Sequence, residues 1–321
     1  MLWQRITFGA LMIALAVGVV WVDGWLSACG LTPIDEGTLG VSTKTRLMCG
    51  LALTLVLALL IMLATFEMGR LCRQGGHNPA VGWAAFVSVL LMLAPWVESQ
   101  QQLAAAVPAV RLTGGMPLSL FLFTGGVLGA FLCILARKTT ERAVANLAVT
   151  CLMMLYLGLL GSFAIRIRCL DPGPGGAALV IFFILTVKAG DIGAYFTGKA
   201  CGRHKLALWV SPGKTIEGAV GALVLAAAVA CAGIWLWEHK LANSLGPPPL
   251  SLAQAVVFGL LMAVCGHLGD LVESLMKRDL GSKDSGQVVP AFGGLLDILD
   301  SPVFTAPIAW WLLTFLPDRL K

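Results

Sequence analysis

Residues 266–301 read GHLGDLVESLMKRDLGSKDSGQVVPAFGGLLDILDS, and this stretch joins two apolar runs of the chain. Its charged side chains are Asp270, Glu273, Lys277, Arg278, Asp279, Lys283, Asp284, Asp297 and Asp300. Charge placed beside sequence apolar enough for a bilayer is costly, and it usually serves a function. A charged loop that only meets lipid headgroups and water is the alternative interpretation.

The aspartates of this stretch indicate a metal site. Asp297 and Asp300 are three residues apart, so on a helix both carboxylates lie on one face. Carboxylates beside phosphate-rich substrates are the usual ligands of magnesium. The neighbouring lysine and arginine side chains suit anionic phosphoryl oxygens. His267, which precedes Asp270 by three residues, either orients that carboxylate or packs between helices.

The composition is that of a membrane protein. Of 321 residues, 58% are hydrophobic and 12% are charged, and the mean hydropathy is +0.87. A soluble domain carries about twice that share of charge. We predict an all-α polytopic membrane protein with about nine transmembrane helices in one bundle and a polar cytoplasm-facing cavity. The predicted spans are residues 6–22, 47–66, 79–97, 117–136, 144–165, 177–196, 216–237, 251–271 and 300–316.

The spans form one integrated membrane domain with two parts, residues 1–140 and residues 141–321. Thirteen lysine and arginine residues lie on the side of the N-terminus and the even-numbered loops, and eight lie on the other side. By the positive-inside rule the first side is cytoplasmic. The net charge of +5 fits an anionic lipid surface or substrate, and no basic stretch interleaved with aromatics indicates nucleic-acid binding.

A second motif covers residues 188–218, KAGDIGAYFTGKACGRHKLALWVSPGKTIEG. Its small residues let backbone N–H groups approach phosphates closely, and its lysines add positive charge. Ser211 is predicted to cap the next helix, whose N-terminus favours anions. Glu217 falls in the first turn, where a carboxylate is favoured with or without a chemical role. Lys188 and Asp191 either form an intramembrane ion pair or line the polar cavity.

Three other features are interpreted as structural. Gly218 and Gly221 share a helix face and favour close helix packing. Glu67 and Arg70 lie three residues apart at the end of the second span, which indicates an interfacial ion pair. The four histidines are too dispersed for a zinc site.

The two motifs together resemble those of the phosphatidate cytidylyltransferases, also called CDP-diacylglycerol synthases. In residues 274–300 the order S-x-x-K-R-D-x-x-x-K-D-S-G, P-x-x-G-G and D-x-x-D is similar to the family signature. The second motif is similar to the family pattern DtGAYf-G-fGk-kl-SPkKT-EG. The resemblance covers residues 156–302. Two positions depart from it, because Phe292 stands where the family usually has histidine and Ile298 where it usually has arginine.

The resemblance implies a nucleotidyltransferase that converts CTP and phosphatidate into CDP-diacylglycerol and pyrophosphate in phospholipid biosynthesis. A phosphate oxygen of the lipid would attack the α-phosphorus of CTP, so the catalytic task is to screen repulsion and align the reactants. The resemblance also implies magnesium as cofactor, with potassium as a second candidate ion, and it suggests a homodimer. The catalytic core then lies in residues 141–321 and faces the cytoplasm from the cell (inner) membrane.

The resemblance implies a role for each matching residue. The catalytic set is Asp270, Lys277, Arg278, Lys283, Asp284, Asp297 and Asp300. Within it, Asp270, Asp297 and Asp300 are implied to hold the metal. The substrate-binding set is Asp191, Lys199, Lys205, Ser211, Lys214, Thr215, Glu217 and Ser274.

Two alternatives stay open. The changes at Phe292 and Ile298 are consistent with a divergent member that acts on another lipid phosphate or has little activity. The charges within the spans are also consistent with an ion or small-molecule transporter, although no internal repeat is visible. A weakly active member would bind CTP or lipid without turnover, whereas a transporter would show flux without CTP.

Overall fold

The computed structural model describes residues 18–25, 50–99, 116–282 and 294–316. Within these ranges, 8 helices are long and apolar enough to cross a membrane. They are α1 (Leu51–Gln74), α2 (Val81–Ser99), α3 (Leu118–Leu135), α4 (Ala143–Arg168), α5 (Pro174–Cys201), α6 (Ile216–Leu245), α7 (Leu252–Asp279) and α8 (Leu296–Phe315). A short antiparallel hairpin of β1 (Lys205–Ala207) and β2 (Ser211–Thr215) joins α5 to α6. The predicted all-α polytopic membrane fold is confirmed.

These helices match the second to the ninth predicted spans one for one. The first predicted span, residues 6–22, lies largely outside the described ranges, and residues 18–25 are helical. Buried side chains from both parts of the chain join one hydrophobic core, as expected for a single bundle. The boundary near residue 140 stays a prediction.

The helix α7 extends well past its predicted end and finishes at Asp279. It begins with a capping box, in which the Ser251 hydroxyl accepts the N–H of Gln254 while the Gln254 side chain accepts the N–H of Ser251;. Lys277 and Arg278 lie in its last turn, where the helix dipole favours cations;. The predicted span, residues 251–271, therefore ended too early and left both residues in the following loop. Hydropathy does not detect the charged last turns of a helix.

The start of α6 also differs from the prediction. Ser211 lies in β2 and does not cap the helix. Pro212 disfavours helical backbone at the residue before it, so Ser211 stays extended. Thr215 is the N-cap instead, with φ −126° and ψ 155°, and its side-chain oxygen accepts the N–H of Gly218 at 3.1 Å;.

Small residues bring α5, α6 and α7 into close contact. A Cβ atom at Gly193 would lie 2.5 Å from the carbonyl oxygen of Gly221, and one at Gly221 would lie 2.1 Å from Oγ1 of Thr197. One at Gly259 of α7 would lie 2.6 Å from Cα of Ala227. Glycine is required at these positions because a side chain would push the backbones apart. The packing role predicted for Gly221 is confirmed.

The two ends of the bundle are held by different contacts. At one end the Arg168 guanidinium binds Asp23 at 2.6 Å, and both side chains are buried. At the other end, the Arg142 guanidinium donates to the carbonyl of Gly76 at 2.7 Å, and Leu280 packs against the neighbouring glycine. The loops that follow α1, α3 and α7 therefore share one end of the bundle, as alternating spans require.

Candidate active site

The two charged motifs of the sequence meet at one carboxylate. The ammonium of Lys214, in β2, lies 3.1 Å from Oδ2 of Asp270 in α7 and 3.3 Å from the carbonyl oxygen of His267. The hydroxyl of Ser301, in α8, donates to Oδ1 of Asp270 at 2.5 Å. Nδ1 of His267 contacts the carbonyl of Ala263 at 3.1 Å, so this ring makes its contact within α7. The hairpin, α7 and α8 thus converge on Asp270.

A second carboxyl group, that of Asp300, lies next to Asp270. Asp300 is 6% exposed, and its Oδ1 accepts the N–H of Ser301 at 2.6 Å. Oδ1 of Asp300 also lies 3.4 Å from the Ser301 hydroxyl that donates to Asp270, so one hydroxyl contacts both carboxyl groups. Two carboxylates this close repel each other unless a proton or a cation lies between them. Either a proton or a bound cation would relieve this repulsion.

Two further carboxyl groups are bridged by a lysine. Nζ of Lys277 lies 2.7 Å from Oε2 of Glu273 and 2.5 Å from Oδ1 of Asp297. The N–H of Gly294 donates to Oδ2 of Asp297 at 2.8 Å. Glu273 is 2% exposed, and its Oε1 has no hydrogen-bond partner among the residues that the structure describes. From the sequence, Glu273 was considered only among the intramembrane charges consistent with a transporter, although its spacing of four residues from Lys277 would have indicated the pair.

The three carboxylates implied to hold metal are not grouped as one site. In the described ranges, no three or more His, Cys, Asp or Glu side chains are arranged to hold a metal ion. Asp270 and Asp300 form a pair, whereas Asp297 is held by Lys277. Magnesium is usually bound by one or two protein carboxylates together with waters and substrate phosphates. The pair of Asp270 and Asp300 fits that requirement.

Lys188 and Asp191 border the same cluster. They form an ion pair of 2.9 Å, with side chains that are 26% and 29% exposed. The Lys188 ammonium also lies 3.4 Å from the carbonyl oxygen of Ile298, and it is within electrostatic reach of Asp300 and Asp270. The ion pair exists and it borders the polar site, so the two interpretations made from the sequence are compatible.

The helix α4 contains a π-helical segment, Met154–Leu160, that carries Tyr156. Tyr156 is 5% exposed, and its hydroxyl has no hydrogen-bond partner within the described part of the chain. The charges of Asp300, Glu273 and Asp270 act on it. π-Helical segments inside α-helices are frequent at functional sites. No role was predicted for this tyrosine, which is the first residue of the region matched by the resemblance.

Glu67 was misassigned from the sequence. It is buried in α1 and accepts the N–H groups of Leu295 and Leu296 at 2.8 and 3.4 Å. Arg70, its predicted partner, is exposed. The predicted ion pair is therefore wrong, because the first N–H groups of a helix have no partner within the helix and bind an available carboxylate.

Several residues of the predicted substrate-binding set shape the hairpin. Glu217 accepts the N–H groups of Arg203 and His204 at 3.1 and 3.2 Å, which closes the base of the hairpin. Thr215 is occupied as the N-cap of α6. Lys205 of β1 is exposed, and Ser211 of β2 is half-buried.

The remaining predicted residues lie around this centre or outside the described ranges. Lys199 is exposed at the end of α5, with its ammonium 5.8 Å from the centre of the Tyr195 ring. Nε of Arg278 lies 3.4 Å from the carbonyl oxygen of Val210, which ties α7 to the hairpin. Ser274 is half-buried on α7. The structure describes none of Lys283, Asp284 and Phe292.

Comparison with known proteins gives the family. Residues 38–316 match the model described as the cytidylyltransferase family. This range contains the hairpin, α7 and α8. The chain belongs to the cytidylyltransferase family. The resemblance to the phosphatidate cytidylyltransferase family, drawn from residues 156–302, is confirmed. The classification as a nucleotidyltransferase enzyme is confirmed as well.

This cytidylyltransferase is similar to curated proteins of several bacteria. It is 28% identical to the phosphatidate cytidylyltransferase of Synechocystis over 98% of this chain and 97% of the relative. It is 35% identical to the phosphatidate cytidylyltransferase of Bacillus subtilis over 50% of this chain and 56% of the relative. It is 41% identical to the uncharacterized protein YnbB of Escherichia coli over 44% of each chain. The matched region thus spans about half the length of the last two relatives.

Proposed function

We propose that this protein is a phosphatidate cytidylyltransferase, which transfers the cytidylyl group of CTP to the phosphate of phosphatidate. The observation that carries the proposal is the contact of Lys214 with Asp270, because it joins a basic hairpin to paired carboxylates inside a membrane bundle. The names of the Synechocystis and Bacillus relatives support the same substrates.

In the proposed reaction an oxygen of the lipid phosphate attacks the α-phosphorus of CTP. A P–O bond forms there while the bond from the α-phosphorus to the bridging oxygen breaks. Pyrophosphate leaves with that oxygen and the bonding electron pair. The lipid phosphate is already anionic near neutral pH, so the protein has to bring anions together in line and need not remove a proton.

Lysine side chains would provide the positive charge for this encounter. Lys214 and Lys277 are each held on a carboxylate in this structure. Phosphate oxygens are anionic acceptors as well, so a bound triphosphate would compete for the same ammonium groups. Lys199 and Lys205 are exposed near the hairpin and would attract the nucleotide from solvent.

Magnesium, alone or together with potassium, is the cofactor of the proposed reaction. Asp270 and Asp300 are the residues that would hold it, and Asp297 is a further ligand implied by the family. When bound, the ion neutralises charge on the triphosphate and on the pyrophosphate leaving group. The Ser301 hydroxyl donates to Asp270 and keeps that carboxylate oriented.

The proposal places the protein in the cell (inner) membrane with its site facing the cytoplasm. The hairpin and the C-terminal end of α7 belong to the side that carries most lysine and arginine residues, which is the cytoplasmic side by the positive-inside rule. A nucleotide substrate requires this orientation. The lipid tails would stay in the bilayer while the phosphate enters the polar site. A homodimer stays a prediction from the family.

A divergent member with another lipid-phosphate substrate or little activity is the second candidate. Ile298 lacks the guanidinium that the family usually has at this position, so one bidentate phosphate contact is missing. The Lys188 ammonium, however, lies at the backbone carbonyl of Ile298. This part of the site therefore still contains a positive charge. A transporter is the candidate of another class, and solute flux in proteoliposomes without CTP would indicate it.

The test is turnover by the purified full-length protein in mixed micelles with labelled CTP, phosphatidate and magnesium. We expect labelled CDP-diacylglycerol and an equal amount of pyrophosphate, both lost with Asp297→Ala. Other lipid phosphates in parallel reactions reveal a changed preference. Binding of CTP without turnover on any lipid phosphate would overturn the proposal in favour of a weakly active member.

A further inference from the structure

The N-terminus of α8 is held by a residue from the opposite part of the chain. Glu67 of α1 is 4% exposed. Its Oε2 accepts the N–H of Leu295 at 2.8 Å, and its Oε1 lies 3.4 Å from the nitrogen of Leu296. The two partners are 228 and 229 residues away along the chain. Such a contact depends on the tertiary fold and is not specified by the sequence near either residue.

This carboxylate supplies a cap that α8 does not have locally. Leu295 is the N-cap residue, and its apolar side chain makes no capping hydrogen bond. The first N–H groups of a helix have no acceptor within the helix, and together with the helix dipole they attract an anion. A buried carboxylate that accepts charge-assisted hydrogen bonds is a strong anchor. Glu67 therefore fixes where α8 begins.

The part of α8 that Glu67 fixes is the part that carries the site. Asp297 follows Leu296 directly, and Asp300 lies one turn further on the same face;. Ser301 then reaches Asp270 on α7. A rotation or slide of this first turn would move all three side chains, because they are on one rigid helix. Reacting groups need placement to well within 1 Å.

We infer that Glu67 is a positioning residue of the active site, which acts by fixing the backbone at the start of α8 and through it the carboxylates of Asp297 and Asp300. The inference rests on the proposed function. It also gives the N-terminal part of the chain a defined role, since α1 holds a helix that carries site residues.

The chain offers a matched control for this interaction. At the other end of the bundle, Oε1 of Glu98 in α2 accepts the N–H of Ser119, in the first turn of α3, at 3.1 Å. Glu98 also pairs with Arg166 at 3.0 Å. Glu67→Gln and Glu98→Gln each remove one carboxylate charge from a helix start, and Glu98→Gln also loses the ion pair with Arg166. Only α8, the helix that Glu67 contacts, carries site residues.

The experiment compares full-length wild type, Glu67→Gln, Glu67→Asp and Glu98→Gln in kcat, KM for CTP, melting temperature and hydrogen exchange of residues 294–301. For Glu67→Gln we expect kcat to fall about 10- to 100-fold, since an NH2 donor replaces one acceptor oxygen and the bond to the remaining oxygen is no longer charge-assisted. KM should stay within about twofold, because the substrate contacts themselves are kept. Glu67→Asp, which keeps the charge, should recover part of kcat.

Hydrogen exchange separates failure of the inference from failure of the proposed function. Faster exchange of residues 294–301 in Glu67→Gln, but not in Glu98→Gln, is expected whether or not the wild type converts phosphatidate. Unchanged exchange in this segment would overturn the inference. A loss of kcat that merely follows the loss of melting temperature in both variants would overturn it as well. A wild type without turnover would refute only the proposed function.

Discussion

Lys277 of α7 lies 2.5 Å from Asp297 of α8, and the same ammonium lies 2.7 Å from Glu273. One lysine thus neutralises two carboxyl groups from two helices that both carry site residues. The side chains of Lys277 and Asp297 are 13% and 15% exposed, and that of Glu273 is 3% exposed. These groups therefore interact largely out of water, where removal of one charge leaves the others uncompensated.

Lys277→Met should lower both stability and turnover. The substitution keeps the side-chain length but leaves two carboxyl groups without their cation, which for a buried pair costs about 3–5 kcal/mol in the free energy of unfolding. The melting temperature in detergent and the rate of CTP turnover are the two readouts.

The double variant Lys277→Met/Glu273→Gln separates the two effects. Removal of one carboxylate charge should recover much of the melting temperature, because fewer like charges remain close together. Turnover should stay low, since the ammonium that we propose to bind phosphate is still missing. Recovery of turnover together with stability would mean that Lys277 is needed for the fold and not for the reaction.

Lys214→Met should reduce turnover about 100-fold, which is the typical effect of removing one group that stabilises developing charge. The side chain comes from a hairpin that contacts α7 through Lys214, at Asp270 and the carbonyl of His267, and through Arg278 at Val210. Stability should fall less than in Lys277→Met, since the side chains of Lys214 and Asp270 are 19% and 28% exposed;. The measurement is kcat and KM for CTP with the melting temperature recorded beside them.

Lys240→Met is the matched control for this prediction. Lys240 is an exposed lysine in the π-helical segment Trp237–Leu241, near the far end of α6. It should keep wild-type turnover. Equal activity of Lys214→Met and Lys240→Met would show that the hairpin lysine has no role in the reaction.

The helices of this fold could be predicted from the sequence because a bilayer imposes a simple length rule. A span needs about twenty apolar residues, and eight of the nine predicted spans match helices that the structure describes. The rule fails where a helix leaves the apolar region, so the end of α7 at Asp279 was missed. This length rule does not apply to strands. The short hairpin of β1 and β2, from Lys205 to Thr215, was therefore not predicted.

The candidate site could be predicted in part, because motif order identified residues such as Lys214 and Asp270 before their contact was visible. The residues that were missed depend on tertiary packing. Glu67 contacts a residue 228 positions away along the chain. Tyr156 lies in a π-helical segment that no local sequence pattern predicts. The spacing of Asp297 and Asp300 correctly predicted that they share one face of a helix. It could not reveal that Lys277 forms an ion pair with Asp297.

Turnover should require a divalent ion, and Asp270→Asn should raise the magnesium concentration needed for half-maximal rate by about 10-fold or more. The carboxyl groups of Asp270 and Asp300 both contact the Ser301 hydroxyl, so removal of the Asp270 charge should weaken cation binding most strongly at this pair. The measurement is rate against magnesium concentration after removal of metal with a chelator.

Asp171→Asn is the control for the metal prediction. Asp171 lies in the turn between α4 and α5, where its carboxylate accepts the N–H of Gly173 at 2.5 Å. It should show the magnesium dependence of the wild type. A chelated wild type that keeps full activity would contradict the metal requirement altogether.

Arg168→Met should destabilise the protein by about 3–5 kcal/mol while the folded enzyme keeps its kcat. Its guanidinium binds Asp23 at 2.6 Å, and the two side chains are 1% and 0% exposed, so the substitution leaves a buried carboxylate without this cation. The contact lies at the end of the bundle opposite to the hairpin. Melting temperature and kcat per folded protein are measured, and a large fall in kcat at unchanged stability would refute the purely structural role.

Tyr156→Phe tests whether the unpaired hydroxyl near the acidic cluster serves the reaction. Tyr156 is 5% exposed, and its hydroxyl has no acceptor or donor within the residues described. A buried hydroxyl without a partner carries a desolvation cost, so its removal should leave the melting temperature unchanged or raise it.

Turnover should nevertheless fall about 10-fold in Tyr156→Phe, because a buried hydroxyl within electrostatic reach of Asp300 and Asp270 can donate to an anion that enters the site. The matched variant is Phe163→Tyr in the same helix, which adds a hydroxyl beside Trp310, outside the acidic cluster. It should leave kcat unchanged. A Tyr156→Phe protein that is more stable and fully active would mean that the hydroxyl has no role in the reaction and only destabilises the packing of α4 against α8.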